Sequence, residues 1–212
     1  MTLRRKLLAW SIIQAIYLMT RLSTTIRVII NDGGDFLMNA IIFHGSAPHA
    51  TADKFWYKNI AHSLNSLGIS TIVADLPKLD QESLTDTLVK IREMNLGINQ
   101  NTILIGHSAG TNIILALLEQ LTKSVKAVYL IAGYCQPNGM RHTTLKKSYD
   151  WKTIKKNSNE FYIFNSFNDP FNCNEKQGRS LFDHLGGTLI LRNDGHFTQK
   201  ELPLLMTLLQ QY

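Results

Sequence analysis

The run TILIGHSAGT, residues 102–111, constrains the fold of this 212-residue chain more than any other stretch. Apolar residues of strand character lead into Gly106-His107-Ser108-Ala109-Gly110, and a helical period begins at residue 109. A serine between a strand and a helix sits on a sharp turn. Glycines are needed on either side, because a Cβ at Gly106 or Gly110 would meet neighbouring backbone. The turn lifts the Ser108 hydroxyl above a sheet edge. It also aims the Ala109 backbone N–H, at the start of the helix, to where an oxyanion would form. GxSxG strings occur by chance, but here the strand before and the helix after are both expected from the sequence, as the chemistry requires.

The rest of the chain repeats this alternation. Short runs rich in Ile, Val and Leu predict strands at 39–43, 70–74, 102–106, 126–131, 160–165 and 187–192. Helices are expected near 53–67, 81–94, 109–122, 174–185 and 198–211. In the first of these, Trp56, Ile60, Leu64 and Leu67 form one apolar stripe that Gly68 terminates. Such an order predicts an α/β fold, a three-layer sandwich with a mostly parallel six-stranded sheet. The one long irregular stretch, 133–152, is expected to be a solvated connection or a binding loop over the site.

A serine hydroxyl needs a base to take its proton, and the base needs an acid to hold its tautomer. His196, in NDGHFT after the last strand, is the expected base, because that loop lies at the same sheet edge as Ser108. His142 falls in the long loop and His184 within a helix pattern. Asp169, in FNDPF after the fifth strand, is the expected acid, although Asn168-Asp169-Pro170 is also an ordinary turn sequence. Asp150, Asp183 and Asp194 are less well placed. The pair His44-Gly45 ends the first strand, so the following turn is expected to bring a second oxyanion N–H near Ser108. Ser46 is the choice for it and Gly45 the alternative. His44, Gly45, His107 and Trp56 are expected to shape the pocket, with His44 serving as a packed histidine that orients its turn.

Composition limits the alternatives. Apolar residues make up 44% and charged residues 18%, which suits a folded globular chain of one domain. Of the net charge of +6, residues 1–37 hold half: five basic against two acidic side chains give +3 there. The body therefore has no concentrated basic stripe, and nucleic acid is not an expected partner. Cys135 and Cys173 are expected to be free thiols of a cytoplasmic protein. No HExxH or paired-cysteine spacing predicts a metal, and no cofactor is implied.

Residues 1–37 are expected to be an extension separate from a domain at 38–212. The basic start and the run LLAWSIIQAIYLMT lack a cleavage site and fall short of the ~20 residues of a spanning helix. A weak membrane-surface helix is one reading. Another is a mis-assigned translation start, with Met38 the true one, since Gly33-Gly34-Asp35 can be encoded by a purine run like a ribosome-binding site. A third makes Thr24–Ile30 an added strand.

With its motifs in order, the chain resembles the small serine hydrolases of the retinoblastoma-binding protein 9 and YdeN type. The similarity rests on IIFHG, the pair Trp56-Tyr57, ADLPKLD, GHSAG, YDWKTIKKN, NDPF and DGHF, across most of 39–212. It implies a minimal α/β-hydrolase with Ser108, Asp169 and His196 as nucleophile, acid and base. The expected activity is cleavage of a small carboxylic ester, thioester or amide through an acyl-enzyme, on a small-molecule acyl substrate. Asn59, where a second aromatic is common, and Thr111, where a small residue is common, depart from the pattern and put the pocket lining in question. Family members begin just before IIFHG. The rival reading is a protein-binding module on the same fold with little activity. Its nearest peptide-docking motif, Phe171-Asn172-Cys173-Asn174-Glu175, lacks the leading leucine of an LxCxE segment.

Overall fold

Six apolar runs pair as one sheet, all parallel, in the order β2-β1-β3-β4-β5-β6. The computed structural model describes residues 37–47, 51–140 and 142–212. The expectations for residues 1–36, including the strand at 24–30 and the surface helix, lie outside them. The strands are β1 Asn39–Phe43, β2 Ser70–Ala74, β3 Thr102–His107, β4 Ala127–Ile131, β5 Phe161–Ser166 and β6 Thr188–Arg192. Every residue of β3 and β4 is buried, whereas the edge strands β2 and β6 are partly exposed. That gradient explains why the central runs read as continuously apolar.

The helices are α1 Tyr57–Ser66, α2 Leu84–Glu93, α3 Ala109–Leu118, α4 Trp151–Lys156, α5 Glu175–Leu185 and α6 Pro203–Leu209. Local chemistry sets their ends. Gly68, at φ 85°, closes α1, where Ile69 N–H reaches Leu64 C=O at 3.0 Å. Ser83 caps α2 by accepting from Asp86 N–H. Pro203 opens α6 at a first-turn position, so the helix begins later than residue 198.

Helix α4 corrects the expectation of a loop up to residue 152 followed by nothing before β5. It is six residues long, too short for a periodic stripe, but Asp150 accepts from Thr153 N–H as an N-cap. The Asp-x-x-Thr spacing was the available signal.

The two faces of the sheet carry separate cores. Ala40, Ile42, Ile103, Ile105 and Tyr129 pack with α1 and α6, while Ile41, Phe43, Leu104, Val128 and Leu130 pack with α2, α3, α4 and α5. This is the three-layer sandwich. The order of successive strands reverses between β1 and β3, since β2 lies outside β1 and the later strands lie beyond β3. Ligands of open α/β sheets bind beyond the carboxyl ends at that point. Among the described residues no helix is long and apolar enough to cross a membrane.

Candidate active site

Ser108 follows β3 immediately and begins α3 with φ 53° and ψ −117°, a conformation that side chains disfavour. Its N–H donates to Ile131 C=O at 2.8 Å, which fastens the elbow to β4. The glycines on either side fit because nothing larger would. A Cβ on Gly106 would lie 2.8 Å from the Gly110 carbonyl oxygen, and one on Gly110 would lie 2.2 Å from that of Phe43. Other non-glycine residues with positive φ are Phe55 ahead of α1, Asn95 after α2, Ala132 after β4, Asn172 ahead of α5 and Phe197 after β6, and of these Phe55 lines the cleft with Ser108. Such strain persists only where the surroundings impose it.

His196 and Asp169 meet beside this elbow. His196 Nδ1–H donates to Asp169 Oδ2 at 2.7 Å, and both residues are buried, at 9% and 7% exposure. The other carboxylate oxygen, Oδ1, accepts from Phe171 N–H at 2.8 Å and Cys173 N–H at 3.3 Å. One oxygen therefore shapes the 169–173 turn and the other faces the imidazole. The histidine loop is held to the acid loop by Ser166 Oγ, which accepts from Asp194 N–H, and by Asn168 Oδ1, which accepts from Gly195 N–H.

The competing residues have other partners, although His142 and Asp194 line the same cleft. His142 Nε2 donates to Asn138 Oδ1 in the 133–152 segment, His184 stacks on Trp151, Asp150 caps α4, and Asp194 is ion-paired to Arg192.

Ser108, Ala109, His107, His196, Gly45 and Ser46 line one cleft of about 950 Å³. Three partly exposed apolar side chains, Phe55, Met140 and Phe171, also line it, with Phe171 edge-on to the His196 ring at 4.8 Å. The 133–152 segment adds Tyr134 and Thr143-Thr144. It is pinned by Thr143 Oγ–H donating to Leu79 C=O, by Tyr149 O–H donating to Asn112 Oδ1, and by a Lys146–Glu119 ion pair.

Two expected pocket residues prove to be buried behind the site. Trp56 is fully buried in the α1 core and donates from Nε1 to Phe197 C=O at 2.9 Å. His44 is also fully buried. Its Nε2 accepts from Leu76 N–H at 2.9 Å, so Nδ1 carries the proton and donates to Gly45 C=O at 2.7 Å. Because a peptide group is planar, fixing the Gly45 carbonyl also fixes the Ser46 N–H on its far side. The Gly45 N–H itself donates to Tyr57 Oη at 3.1 Å. Of the two oxyanion candidates, Gly45 is thus engaged already. Asn59 does not line the cleft; its Nδ2 donates to Lys200 C=O at 2.9 Å and braces the segment after His196. Thr111 lies beneath, its methyl close to Gly133.

Asp169, Cys173 and His196 are the group of described residues whose ligand atoms lie close enough to share a metal ion, within 4.8 Å. The donor set fits poorly. Ligands on a tetrahedral zinc stand ~3.3 Å apart, whereas the Asp169–His196 pair is closed by a direct 2.7 Å hydrogen bond. Burial and the neighbouring Asp169 charge also push the Cys173 thiol far up, against forming thiolate. Cys173 is 1% exposed, within the turn that holds Asp169, and Glu175 starts α5. The Phe171–Glu175 segment is thus part of the site's own scaffold.

Burial lowers the His107 pKa to about 3, the nearby His196 adding to the effect, and burial lowers that of His44 as well. Both rings are neutral when folded, whereas in the unfolded chain they take a proton near pH 6.5. Their stabilising effect is complete above that value and is lost as pH falls below it, for His107 down to about 3. Lowering pH from 7 to 5 should therefore remove about 2 kcal/mol through His107 alone. Urea unfolding at the two pH values checks this; equal midpoints would contradict neutral burial of the ring.

A parallel sheet whose strand order reverses at a strained serine elbow, with a His–Asp pair on the loops after β6 and β5, defines an α/β-hydrolase. The chain belongs to the serine hydrolase family, whose match covers residues 40–202. It is 27% identical to the serine hydrolase RBBP9 of Rattus norvegicus over 169 residues, 76% of this chain and 88% of that protein. It is 24% identical to YdeN of Bacillus subtilis over 184 residues, 81% and 94% of the two chains. The crystal structure of the B. subtilis ydeN product superposes with a TM-score of 0.75, covering 82% of this chain and 98% of that one at 22% identity. Est1E of Butyrivibrio proteoclasticus shares the fold at a TM-score of 0.60 and 14% identity.

Proposed function

We propose that the protein hydrolyses a small carboxylic ester, thioester or amide by acyl transfer, as a carboxylesterase-type enzyme using Ser108, His196 and Asp169. The observation that carries this reading is the buried His196–Asp169 hydrogen bond, 2.7 Å long, in the cleft lined by the strained Ser108. Ser108 Oγ attacks the substrate carbonyl carbon while His196 Nε2 takes its proton. Asp169 holds the proton on Nδ1, which keeps Nε2 free to accept and stabilises the imidazolium. The Ala109 and Ser46 N–H groups stabilise the oxyanion of the tetrahedral intermediate. As that intermediate collapses, His196 returns the proton to the leaving group. Water then attacks the acyl-Ser108 ester with His196 again as base, releasing the acid and regenerating the serine.

A fluorophosphonate probe tests the reading. The wild-type protein should be labelled and Ser108→Ala should not. Folded wild-type protein that stays unlabelled would overturn it in favour of a binding module. A p-nitrophenyl ester series of rising acyl length should then show kcat/KM increasing beyond acetate, as the apolar side chains lining the cleft require.

A further inference from the structure

Tyr57 and His107 are both about 1% exposed, and neither is placed to attack a substrate or to take its proton in the mechanism above. They nonetheless join three parts of the site. The Gly45 N–H donates to Tyr57 Oη at 3.1 Å, Tyr57 Oη lies 2.5 Å from His107 Nδ1, and His107 Nε2 lies 2.8 Å from the His196 carbonyl oxygen.

The direction of each bond follows by elimination. A carbonyl only accepts, so His107 Nε2 carries a proton. The buried ring is neutral, so its Nδ1 is bare and accepts. Tyr57 must then donate its O–H to Nδ1, which leaves its oxygen lone pairs for the Gly45 N–H. All three bonds are made in one sense, with no polar atom over. Burial also holds the Tyr57 phenol far above its ordinary pKa, keeping the donor proton in place.

We infer that Tyr57 and His107 are positioning residues, a neutral hydrogen-bond relay that locks the oxyanion turn, the nucleophile elbow and the base loop into one register. Each end of the relay meets a working part. Gly45 precedes Ser46, His107 precedes Ser108, and His196 is held by its own backbone carbonyl. Trp56 reinforces the last contact by donating to the next carbonyl, that of Phe197. The first turn of α1 thus clamps the base loop from below, which gives the Trp56-Tyr57 pair a role that burial alone does not require. A relay of this kind matters for rate because oxyanion donors and base act only when their geometry is already set.

The inference rests on the hydrolase reading, and its test separates the two. Tyr57→Phe keeps the ring and removes only the hydroxyl, leaving the Gly45 N–H and His107 Nδ1 unpaired. With an ester substrate, kcat should fall about tenfold with KM changed less than about twofold, the pattern of lost transition-state positioning. Trp56→Phe, a second variant that leaves the relay intact, should lower kcat less. Imidazole 15N NMR supplies a readout independent of turnover. Wild-type His107 should carry its proton on Nε2 with a strongly hydrogen-bonded, bare Nδ1, and Tyr57→Phe should abolish that Nδ1 signature while shifting the His196 resonances. A proton on His107 Nδ1 in the wild type, His196 resonances unmoved in Tyr57→Phe, or wild-type kcat in that variant would each overturn the relay. Should the wild type show no Ser108-dependent turnover, the hydrolase reading fails, and the NMR result still decides the relay.

Discussion

Asp169→Asn should lower kcat by about 10⁴-fold while leaving the fold and the cleft intact. The reason lies in how the two carboxylate oxygens divide their work. Oδ1 accepts from the Phe171 and Cys173 N–H groups and thereby builds the turn, while Oδ2 accepts from His196 Nδ1–H. An asparagine keeps the first task by placing its carbonyl oxygen at Oδ1. Its amide nitrogen must then take the Oδ2 position, where it presents hydrogens to the imidazole. His196 Nδ1 can only pair with it by giving up its proton, which moves to Nε2. That nitrogen is the one required to accept from Ser108, so the base is present but in the wrong tautomer.

Three measurements check the argument. The unfolding midpoint should stay close to that of the wild type, because the turn contacts survive. KM should change little, because no cleft-lining atom is lost. Fluorophosphonate labelling should slow by a similar factor to kcat, since both reactions use the same deprotonated serine. Wild-type kcat in Asp169→Asn would remove Asp169 from the mechanism. Asp169→Ala is the poorer test, because it also releases two backbone N–H groups, of which that of Cys173 is buried and costs about 1–3 kcal/mol when left unpaired.

The contrast between what was readable in the sequence and what was not follows the range of the interactions. Strands β1 to β6 were legible to within a residue because all-parallel central strands are apolar throughout. Gly106, Ser108 and Gly110 were legible because a steric demand on the backbone leaves a mark at fixed spacing. Helix α4 escaped because one and a half turns make no periodic stripe. Trp56 was expected to shape the pocket and is instead buried behind it, whereas His44 is the packed, turn-orienting histidine that the sequence suggested. Their actual partners, the Phe197 carbonyl and the Leu76 N–H, are distant along the chain. No local pattern encodes a bond between Tyr57 and His107, which are 50 residues apart. Asn59 illustrates the same limit: its departure from an aromatic suggested an altered pocket, yet it braces the base loop.

Gly110→Ala should destabilise the protein by about 3 kcal/mol or more, a large effect for the addition of one methyl group. Ordinary propensity predicts the opposite sign, because alanine is a better helix former than glycine by about 1 kcal/mol, and Gly110 lies in the first turn of α3. Sterics decide the sign. The added Cβ would stand 2.2 Å from the Phe43 carbonyl oxygen, 2.8 Å from its carbon and 3.0 Å from the His44 oxygen, all backbone atoms that no rotamer change can move. Relief requires α3 to withdraw from the end of β1. Both pieces are then displaced, since α3 carries Ala109 and the end of β1 carries the turn to Ser46. Stability and activity should therefore fall together. Gly68→Ala provides the comparison: its Cβ would meet nothing within 4 Å. Strain from its φ of 85° should cost only about 1–2 kcal/mol there, with kcat unchanged. Urea unfolding and ester kinetics on the two variants would distinguish a close helix–strand approach at the elbow from a general intolerance of Cβ atoms. Equal losses in both, or a stabilised Gly110→Ala, would refute the steric account.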